Sequence, residues 1–77
     1  MSIEVGVYRH YKGNDYYVLG LAQHGDEEID EQFVIYLALY PKDGPRMFAR
    51  PKSVFFSTAT NADGQQVPRF VKVADAP

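Results

Sequence analysis

The hydrophobic and polar positions of residues 6–20 follow a pattern that predicts a β-hairpin. The stretch reads Gly-Val-Tyr-Arg-His-Tyr-Lys-Gly-Asn-Asp-Tyr-Tyr-Val-Leu-Gly, in which Gly13-Asn14 suits a two-residue loop. This loop, or a four-residue loop over residues 12–15, pairs Tyr11 with Tyr16. By alternation, one face carries Val7, Arg9, Tyr11, Tyr16 and Val18, and the other carries Tyr8, His10, Tyr17, Leu19 and Leu21. Because neither face is purely polar, the pattern favours a curled sheet or small barrel, with a bulge or bend at Gly20.

The rest of the chain predicts further strands separated by polar turns. Residues 32–40 are apolar, and their aromatic and β-branched members favour a buried central strand over a helix. Pro51 suits the start of one helical turn over residues 51–56, with Val54 and Phe55 plugging the end of the barrel. The other predicted segments are a polar connection at residues 23–30, turns at 41–45 and 61–64, short strands at 46–50 and 57–60, and a closing strand at 67–73 that begins near Pro68 at a sheet edge or bulge.

Length and composition limit the chain to one small domain. We expect a single domain over residues 1–77, with an ordered core over residues 4–73 and a frayed tail at 74–77. With 45% apolar and 14% aromatic residues, the chain is able to build a hydrophobic core. The lack of cysteine excludes disulfides and thiolate zinc sites, and no apolar leader or long apolar run is present. These features predict a cytoplasmic protein that does not enter a membrane.

The charge distribution argues against one class of function. A net charge of −2 does not suit general binding of duplex DNA, since that affinity comes from Lys and Arg side chains that neutralise phosphates. The sign is uneven, because residues 22–40 hold five acids and no Lys or Arg, whereas residues 41–77 hold six bases and three acids. A locally basic surface is therefore compatible with the sequence.

Several blocks along the chain together resemble one protein family. The blocks are Gly6-x-Tyr8-Arg9-His10-Tyr11-Lys12-Gly13, Tyr16-x-Val18-Leu19-Gly20-x-Ala22-x-His24, Tyr36-x-x-Leu39-Tyr40, Arg50-Pro51, Phe55, Gly64 and Pro68-Arg69-Phe70. In order and spacing they resemble the bacterial domain-of-unknown-function family 1653. The resemblance implies a mostly β domain of the SH3-like type and no established activity. We therefore expect an all-β fold, a small SH3-like, partly open barrel of about five strands with one short helical turn.

The candidate binding residues lie mainly on the first arm of the hairpin. Aromatic rings interleaved with cations hold single-stranded nucleic acids and some peptides, and Arg suits planar anions. The candidate ligand-binding residues are Arg9, His10, Tyr11, Tyr16 and Arg50. A structural role is the alternative, because aromatic residues of a small hairpin also form core pairs, and cations also cover ring faces or bind backbone carbonyls. For Arg69 we favour that structural role, and for Arg50 both roles stay open.

Complete catalytic and metal-binding patterns are missing from the sequence. The predicted register separates His10 from His24, so we do not expect a shared metal ion, and the acids at residues 26–28 lack the ligand spacing of a calcium loop. Neither histidine has a signature that links it to a Ser or Thr nucleophile, and there is no phosphate-binding glycine motif. We expect no cofactor, no metal and no catalytic residue.

Three hypotheses of function follow from these observations. The leading one is a non-catalytic binding module for a small anionic ligand, a peptide or a single-stranded nucleic acid. The second is a structural or interaction domain that self-associates through its apolar central strand, where Phe33, Ile35, Leu37 and Leu39 share one face. The third is a small enzyme that acts through His10. The expected oligomeric state is a monomer or a weak homodimer.

Overall fold

The computed structural model describes residues 3–77, which form seven strands and one short helix. The strands are β1 (Gly6–His10), β2 (Asp15–Gln23), β3 (Gln32–Ala38), β4 (Met47–Pro51), β5 (Thr58–Thr60), β6 (Gln66–Pro68) and β7 (Phe70–Ala74), and the helix α1 (Lys52–Phe55) lies between β4 and β5. Five strands form one antiparallel sheet in the order β4-β3-β2-β1-β7, while β5 and β6 form a separate two-stranded ribbon. The predicted mostly β fold with one helical turn is confirmed, although the described chain has seven strands rather than about five.

The five-stranded sheet is open in the part of the chain that the structure describes, with β4 and β7 at its edges. Residues 24–31 connect β2 to β3, which confirms the predicted polar connection and the predicted interior strand after it. In the strand order, however, β2 rather than β3 is the middle strand. The SH3-like character of this open sheet stays a prediction.

The register of the β1–β2 hairpin differs from the predicted one by three residues. Tyr8 lies opposite Tyr16, and Arg9 lies opposite Asp15, whereas the prediction placed Tyr11 opposite Tyr16. Because side chains alternate along a strand, an odd shift moves one arm to the other face. The predicted faces of the hairpin are therefore wrong, and Tyr8 and Tyr16 share the side of the sheet that faces the core.

The hairpin loop explains this difference. It spans residues 11–13, because the N–H of His10 donates to the carbonyl of Asn14 at 2.8 Å and the N–H of Gly13 donates to the carbonyl of His10 at 2.7 Å. Gly13 has a φ of 107°, in the region of backbone conformation that glycine adopts without strain. A three-residue loop commonly ends in such a residue, so Gly13 closes the turn instead of opening a two-residue turn with Asn14.

The side chains on one face of the sheet, here called the inner face, build the core together with α1. Its buried members are Tyr8, Val18, Val34, Tyr36, Phe55 and Phe70, with Ile3, Tyr16, Leu21 and Phe48 packed against them. The register between β2 and β3 shifts between Val18 and Gly20, which confirms the bulge predicted at Gly20. The extra residue is Leu19, so Val18 and Leu21 both reach the core despite the odd spacing.

The helical turn contributes one aromatic side chain to this core. Phe55 is 1% exposed, and its ring stacks on that of Phe70 with centres 4.1 Å apart and planes at 8°. Val54 is 40% exposed, so the prediction that both residues plug the fold is correct for Phe55 and wrong for Val54. Successive side chains of a helix point about 100° apart, and one turn therefore buries only one of these two neighbours.

The predicted closing strand at residues 67–73 is wrong as a single strand, because it is divided between the ribbon and the sheet. Pro68 ends β6 opposite Thr58, whereas Phe70 begins β7 opposite His10. At the corner, the N–H of Arg69 donates to the carbonyl of Ser57 at 3.0 Å. The chain thus changes sheets at Arg69, as strands do at the corners of two packed sheets.

Candidate functional site

His10 lies between two aromatic rings where β1 meets β7. Its ring centre is 4.5 Å from that of Tyr11 and 4.9 Å from that of Phe70, which it meets edge-on at 80°. The sheet register brings this about, because His10 and Phe70 are directly opposite each other. The half-buried rings of His10 and Tyr11 therefore lie in one continuous aromatic group with the buried ring of Phe70 at this end of the sheet.

Three cations surround the same two rings. The guanidinium carbon Cζ of Arg50 lies 5.5 Å from the ring centre of Phe70. Near the ring of Tyr11, Nζ of Lys12 lies at 5.8 Å and Cζ of Arg69 at 6.0 Å. These cations come from β4, from the hairpin loop and from the β6–β7 corner, so only the folded chain assembles them. We use the name cation cluster for Lys12, Arg50 and Arg69 together with the imidazole of His10 beside them.

Hydrogen bonds to neutral groups hold the two arginines in place. Nε of Arg50 donates to the hydroxyl of Tyr36 at 3.1 Å. Nε of Arg69 donates to Oγ of Ser57 at 3.1 Å, and its Nη2 donates to the carbonyl of Thr58 at 3.3 Å. Within residues 3–77, none of the three cations near the rings forms an ion pair with a carboxylate. Their positive charge is therefore not neutralised by the described part of the chain.

The surroundings of His10 favour its neutral form. Burial lowers the pKa of His10, and the positive charges of Arg50, Arg69 and Lys12 lower it further. Nδ1 of His10 accepts the backbone N–H of Lys12 at 3.1 Å. A neutral imidazole whose Nδ1 accepts carries its proton on Nε2. His10 thus offers an N–H donor beside three cations, which is an arrangement that attracts an anion and repels a cation.

Tyr16 forms part of the aromatic support beneath the cluster. Its ring centre lies 5.9 Å from that of Phe70 and 5.2 Å from that of Tyr36, both nearly edge-on. Its hydroxyl shares a hydrogen bond of 2.9 Å with that of Tyr40. Burial, followed by this hydrogen bond, raises the pKa of Tyr16 to about 12. The phenol therefore stays protonated at neutral pH and acts as a packing and hydrogen-bonding group.

Arg9 lines one groove together with His10 and Tyr11, but its charge, unlike that of Arg50, is paired within the described chain. It points to the face of the sheet opposite the core, where its Nε and Nη2 donate to the two carboxylate oxygens of Asp15 at 2.8 and 3.2 Å. The hydrogen bond from Arg9 lowers the pKa of Asp15. Because its charge is paired, Arg9 adds little positive potential to the cation cluster.

The structure brings the other four predicted residues together through a residue that the prediction left out. His10, Tyr16 and Arg50 all contact the ring of Phe70, and Tyr11 contacts His10. The signal was present in the block Pro68-Arg69-Phe70. Phe70 itself does not stand out there as a site residue, because a sequence without a strand order does not show that β7 pairs with β1.

An apolar groove lies beside the cation cluster. It has a volume of about 390 Å³, and His10 and Tyr11 line it on one side while Val67, Pro68 and Val71 line it on the other. Its mostly apolar walls suit a flat or apolar group, and Arg9 is the one Lys or Arg side chain among the described residues in its lining. A second groove, of about 490 Å³ between residues 30–32 and α1, has two acids and one lysine in its lining. It lacks a comparable excess of one charge.

His24 belongs to a different region of the molecule. It follows the far end of β2, its ring centre lies 6.0 Å from that of Phe33, and its Nδ1 accepts the N–H of Asp26 at 2.9 Å. Among residues 3–77, no three His, Cys, Asp or Glu side chains are grouped closely enough to hold a metal ion. In this same part of the chain, no helix has the length and apolar character that crossing a bilayer requires.

The fold and this surface define a small, mostly β domain with cations and aromatic rings gathered at one end of the sheet. The sequence profile of the family described as "Protein of unknown function (DUF1653)" matches residues 6–72. The chain belongs to this family, which confirms the resemblance drawn from its sequence blocks. No curated protein matches the chain.

A solved structure supports the same assignment. The crystal structure of a protein belonging to DUF1653 from Bordetella bronchiseptica, a bacterium, is similar to this chain with 40% sequence identity and a TM-score of 0.82. The similarity covers 94% of this chain and 88% of that one. The fold described above is therefore shared with a family member over nearly the whole domain.

Proposed function

We propose that this domain is a non-catalytic binding module that holds a small organic anion at the cation cluster. The observation that supports the proposal is the position of His10 between two rings and beside three cations that have no carboxylate partner within residues 3–77. Cations held close together repel one another unless an anion neutralises them. A bound carboxylate or phosphate supplies that charge, and the Nε2–H of His10 and the guanidinium of Arg50 are its hydrogen-bond donors.

The dimensions of the surface favour a small ligand over an extended strand of nucleic acid. The adjacent groove has a volume of about 390 Å³, which lies in the range of about 300–1,000 Å³ common for small-molecule sites. A strand would need a basic track that continues along several phosphates. The neighbouring bases do not extend the cluster, because Arg9 pairs with Asp15 and Lys72 pairs with Asp75. The anionic group of the ligand then rests on the cations and its flat or apolar part in the groove.

The chemistry of the titratable groups supports binding rather than catalysis. Tyr16, with a pKa raised to about 12, is a weak proton donor at neutral pH. His10, with a lowered pKa, is a weak base, and the groups that act on its charge are cations. The proposal needs neither a metal nor a cofactor. It assigns the module to the cytoplasm, because a small chain without cysteine suits a reducing compartment.

The proposal is tested by an NMR titration of the ¹⁵N-labelled protein with adenosine monophosphate. We expect saturable shifts of the amides of Tyr11, Lys12, Arg50 and Phe70, and weaker shifts at the same positions with inorganic phosphate, which lacks a group for the groove. No shifts, or shifts confined to the acidic residues 26–31, contradict the proposal. If a short oligonucleotide or a peptide causes saturable shifts and the mononucleotide does not, the ligand belongs to that class and is not a small anion.

A pair of lysine variants separates the cluster from the general charge of the protein. Lys12→Gln removes a cation next to Tyr11, and we expect it to weaken binding about two- to fivefold, the range for an exposed charge. Lys52→Gln makes the same change in net charge near Gln32, in the other groove. Equal weakening by both variants would mean that the anion is attracted by the overall charge and has no defined site.

A further inference from the structure

The face of the sheet that points away from the core, here called the outer face, is largely apolar. One row crosses four strands by direct pairing, from Met47 through Leu37 and Tyr17 to Val7. A second row contains Ala49 and Ile35, and a third contains Pro51, Phe33 and Ala22. Among residues 3–77, six of the nine exposed large hydrophobic side chains belong to this face, namely Val5, Leu19, Leu39, Met47, Val71 and Val73.

This face has both a projection and a depression. Met47 is 59% exposed, which is the highest exposure among the large hydrophobic side chains of the described residues. At the other side of the face, a groove of about 650 Å³ is lined by Val7, Leu39, Val73 and Pro77, with Arg9 and Asp15 at its side. The projection lies on β4 and the depression lies on β1 and β7, on opposite sides of the middle strand β2.

The charges of the outer face point to a partner without net charge. The charged side chains in and beside the apolar rows are Arg9 and Asp15, which pair with each other at 2.8 Å. A strongly charged partner would bury its charges against these rows without a counterion, which costs free energy. A second copy of the same face has the required neutrality, and it brings both the projection and the depression.

Symmetry makes the two copies fit. A twofold axis parallel to β2 between two stacked sheets exchanges the β4 side of one copy with the β7 side of the other, while each row stays at its own height. Since Met47 and Val7 belong to the same row, Met47 of each copy then meets the groove of the other. We propose that two copies associate face to face through the outer face, with Met47 of each copy seated beside Val7 and Val73 of the other.

The size of the face sets the strength of this association. Five strands at about 4.8 Å spacing and five residues at about 3.3 Å each give a face of about 400 Å² in projection. Stable interfaces bury about 800 Å² of accessible surface per partner. Side chains that stand out from the sheet give the outer face more accessible surface than its projected area, but not enough to reach that value. The dimer is therefore weak, with a dissociation constant between about 10 μM and 1 mM, or about 4–7 kcal/mol.

Sedimentation velocity over concentrations from about 10 μM to 1 mM tests this proposal against matched variants. We expect the average mass of the wild-type protein to rise toward that of a dimer and Met47→Glu to weaken association at least about tenfold. Val54→Glu is the control, because Val54 is also exposed but lies on α1 outside the outer face. A wild-type protein that stays monomeric at the highest concentration overturns the proposal, and so does equal dimerisation of the two variants.

A second variant protects the test against a folding defect. If the circular dichroism spectrum of Met47→Glu departs from that of the wild type, Val73→Glu replaces it, because Val73 is 44% exposed and lines the depression from the other side. Loss of the dimer in folded Val73→Glu supports the proposed face. An unchanged dimer in that variant refutes it.

Discussion

Replacing Phe55 by alanine removes the ring on which Phe70 stacks. The centres of these two rings are 4.1 Å apart, and Phe55 is 1% exposed. Truncation of a buried Phe to Ala costs about 3–5 kcal/mol, through lost burial and the cavity that remains. A domain of this size has a total free energy of unfolding of about 4–11 kcal/mol. The variant therefore loses between about a quarter and all of its stability.

The neighbouring Phe56 gives a matched control. It is 55% exposed, so Phe56→Ala should cost less than about 1.5 kcal/mol, since most of its ring is already in water. Urea unfolding followed by circular dichroism measures both variants. With a slope of about 1 kcal/mol per molar urea, Phe55→Ala moves the midpoint by about 3 M or more, or unfolds the protein without urea. Phe55→Leu, which leaves a smaller cavity, keeps a measurable transition if the alanine variant does not fold.

The comparison refutes the described core if the two alanine variants differ by less than about 1 kcal/mol, well below the difference that burial predicts. Such a result would mean that the turn carrying Phe55 contributes little to packing. The support beneath Phe70, and with it the placement of His10 and Arg50, would then have to come from the strands alone.

Three further predictions concern titration and backbone packing. The pKa of Tyr16 is raised from 10.0 to about 12, so the stability that its protonated form contributes is complete below pH 10 and is lost between pH 10 and about 12. In unfolding measured as a function of pH, Tyr16→Phe should lose less stability over this range than the wild type. An unchanged slope of stability against pH would contradict the raised pKa. The pKa of His10 is lowered from 6.5, so the stability that neutral His10 contributes is complete above pH 6.5 and declines as the pH falls. In an NMR titration, Arg50→Gln should raise the pKa of His10, because it removes a nearby positive charge. An unchanged pKa would show that Arg50 does not act on His10. A methyl group on Gly6 would lie 2.6 Å from the carbonyl oxygen of residue 74, so Gly6→Ala should lower the free energy of unfolding in urea by about 1–3 kcal/mol. Gly25→Ala is the control, because a methyl group there meets open space, and it should lower the free energy of unfolding by less than about 0.5 kcal/mol. Equal losses of stability in the two variants would contradict the close approach at Gly6.

The fold class and most elements were predictable because they follow from local patterns. The alternation in β1 and β2, the apolar run of β3 and the turn signals reflect interactions between near neighbours. The hairpin register was not predictable in the same way. Gly13-Asn14 suits more than one loop length, and the choice depends on whether Arg9 can pair with Asp15 and Tyr8 can meet Tyr16 in the core. The folded chain decides this by packing, which the dipeptide does not encode.

The candidate site was predictable in its residue types but not in its centre. Arg50 and His10 are far apart in the sequence, and what joins them is the ring of Phe70. That ring reaches His10 because the chain leaves the ribbon at Arg69 and pairs β7 with β1. Pairing between distant strands depends on the whole fold, and a single sequence shows only that each partner exists.

The pairing of β1 with β7 also determines when the cation cluster forms during folding. Strands β2, β3 and β4 are neighbours along the chain, whereas joining β1 to β7 closes a loop of nearly the whole described chain. Long loops lose more entropy on closing, and contacts of high sequence separation slow folding. His10, Arg50 and Arg69 come together only after that closure. A partly folded chain in which only β1 to β4 have paired therefore has no cation cluster. The proposed anion binding would therefore report the completion of folding, because a nascent chain acquires the cation cluster only once β7 has been synthesised.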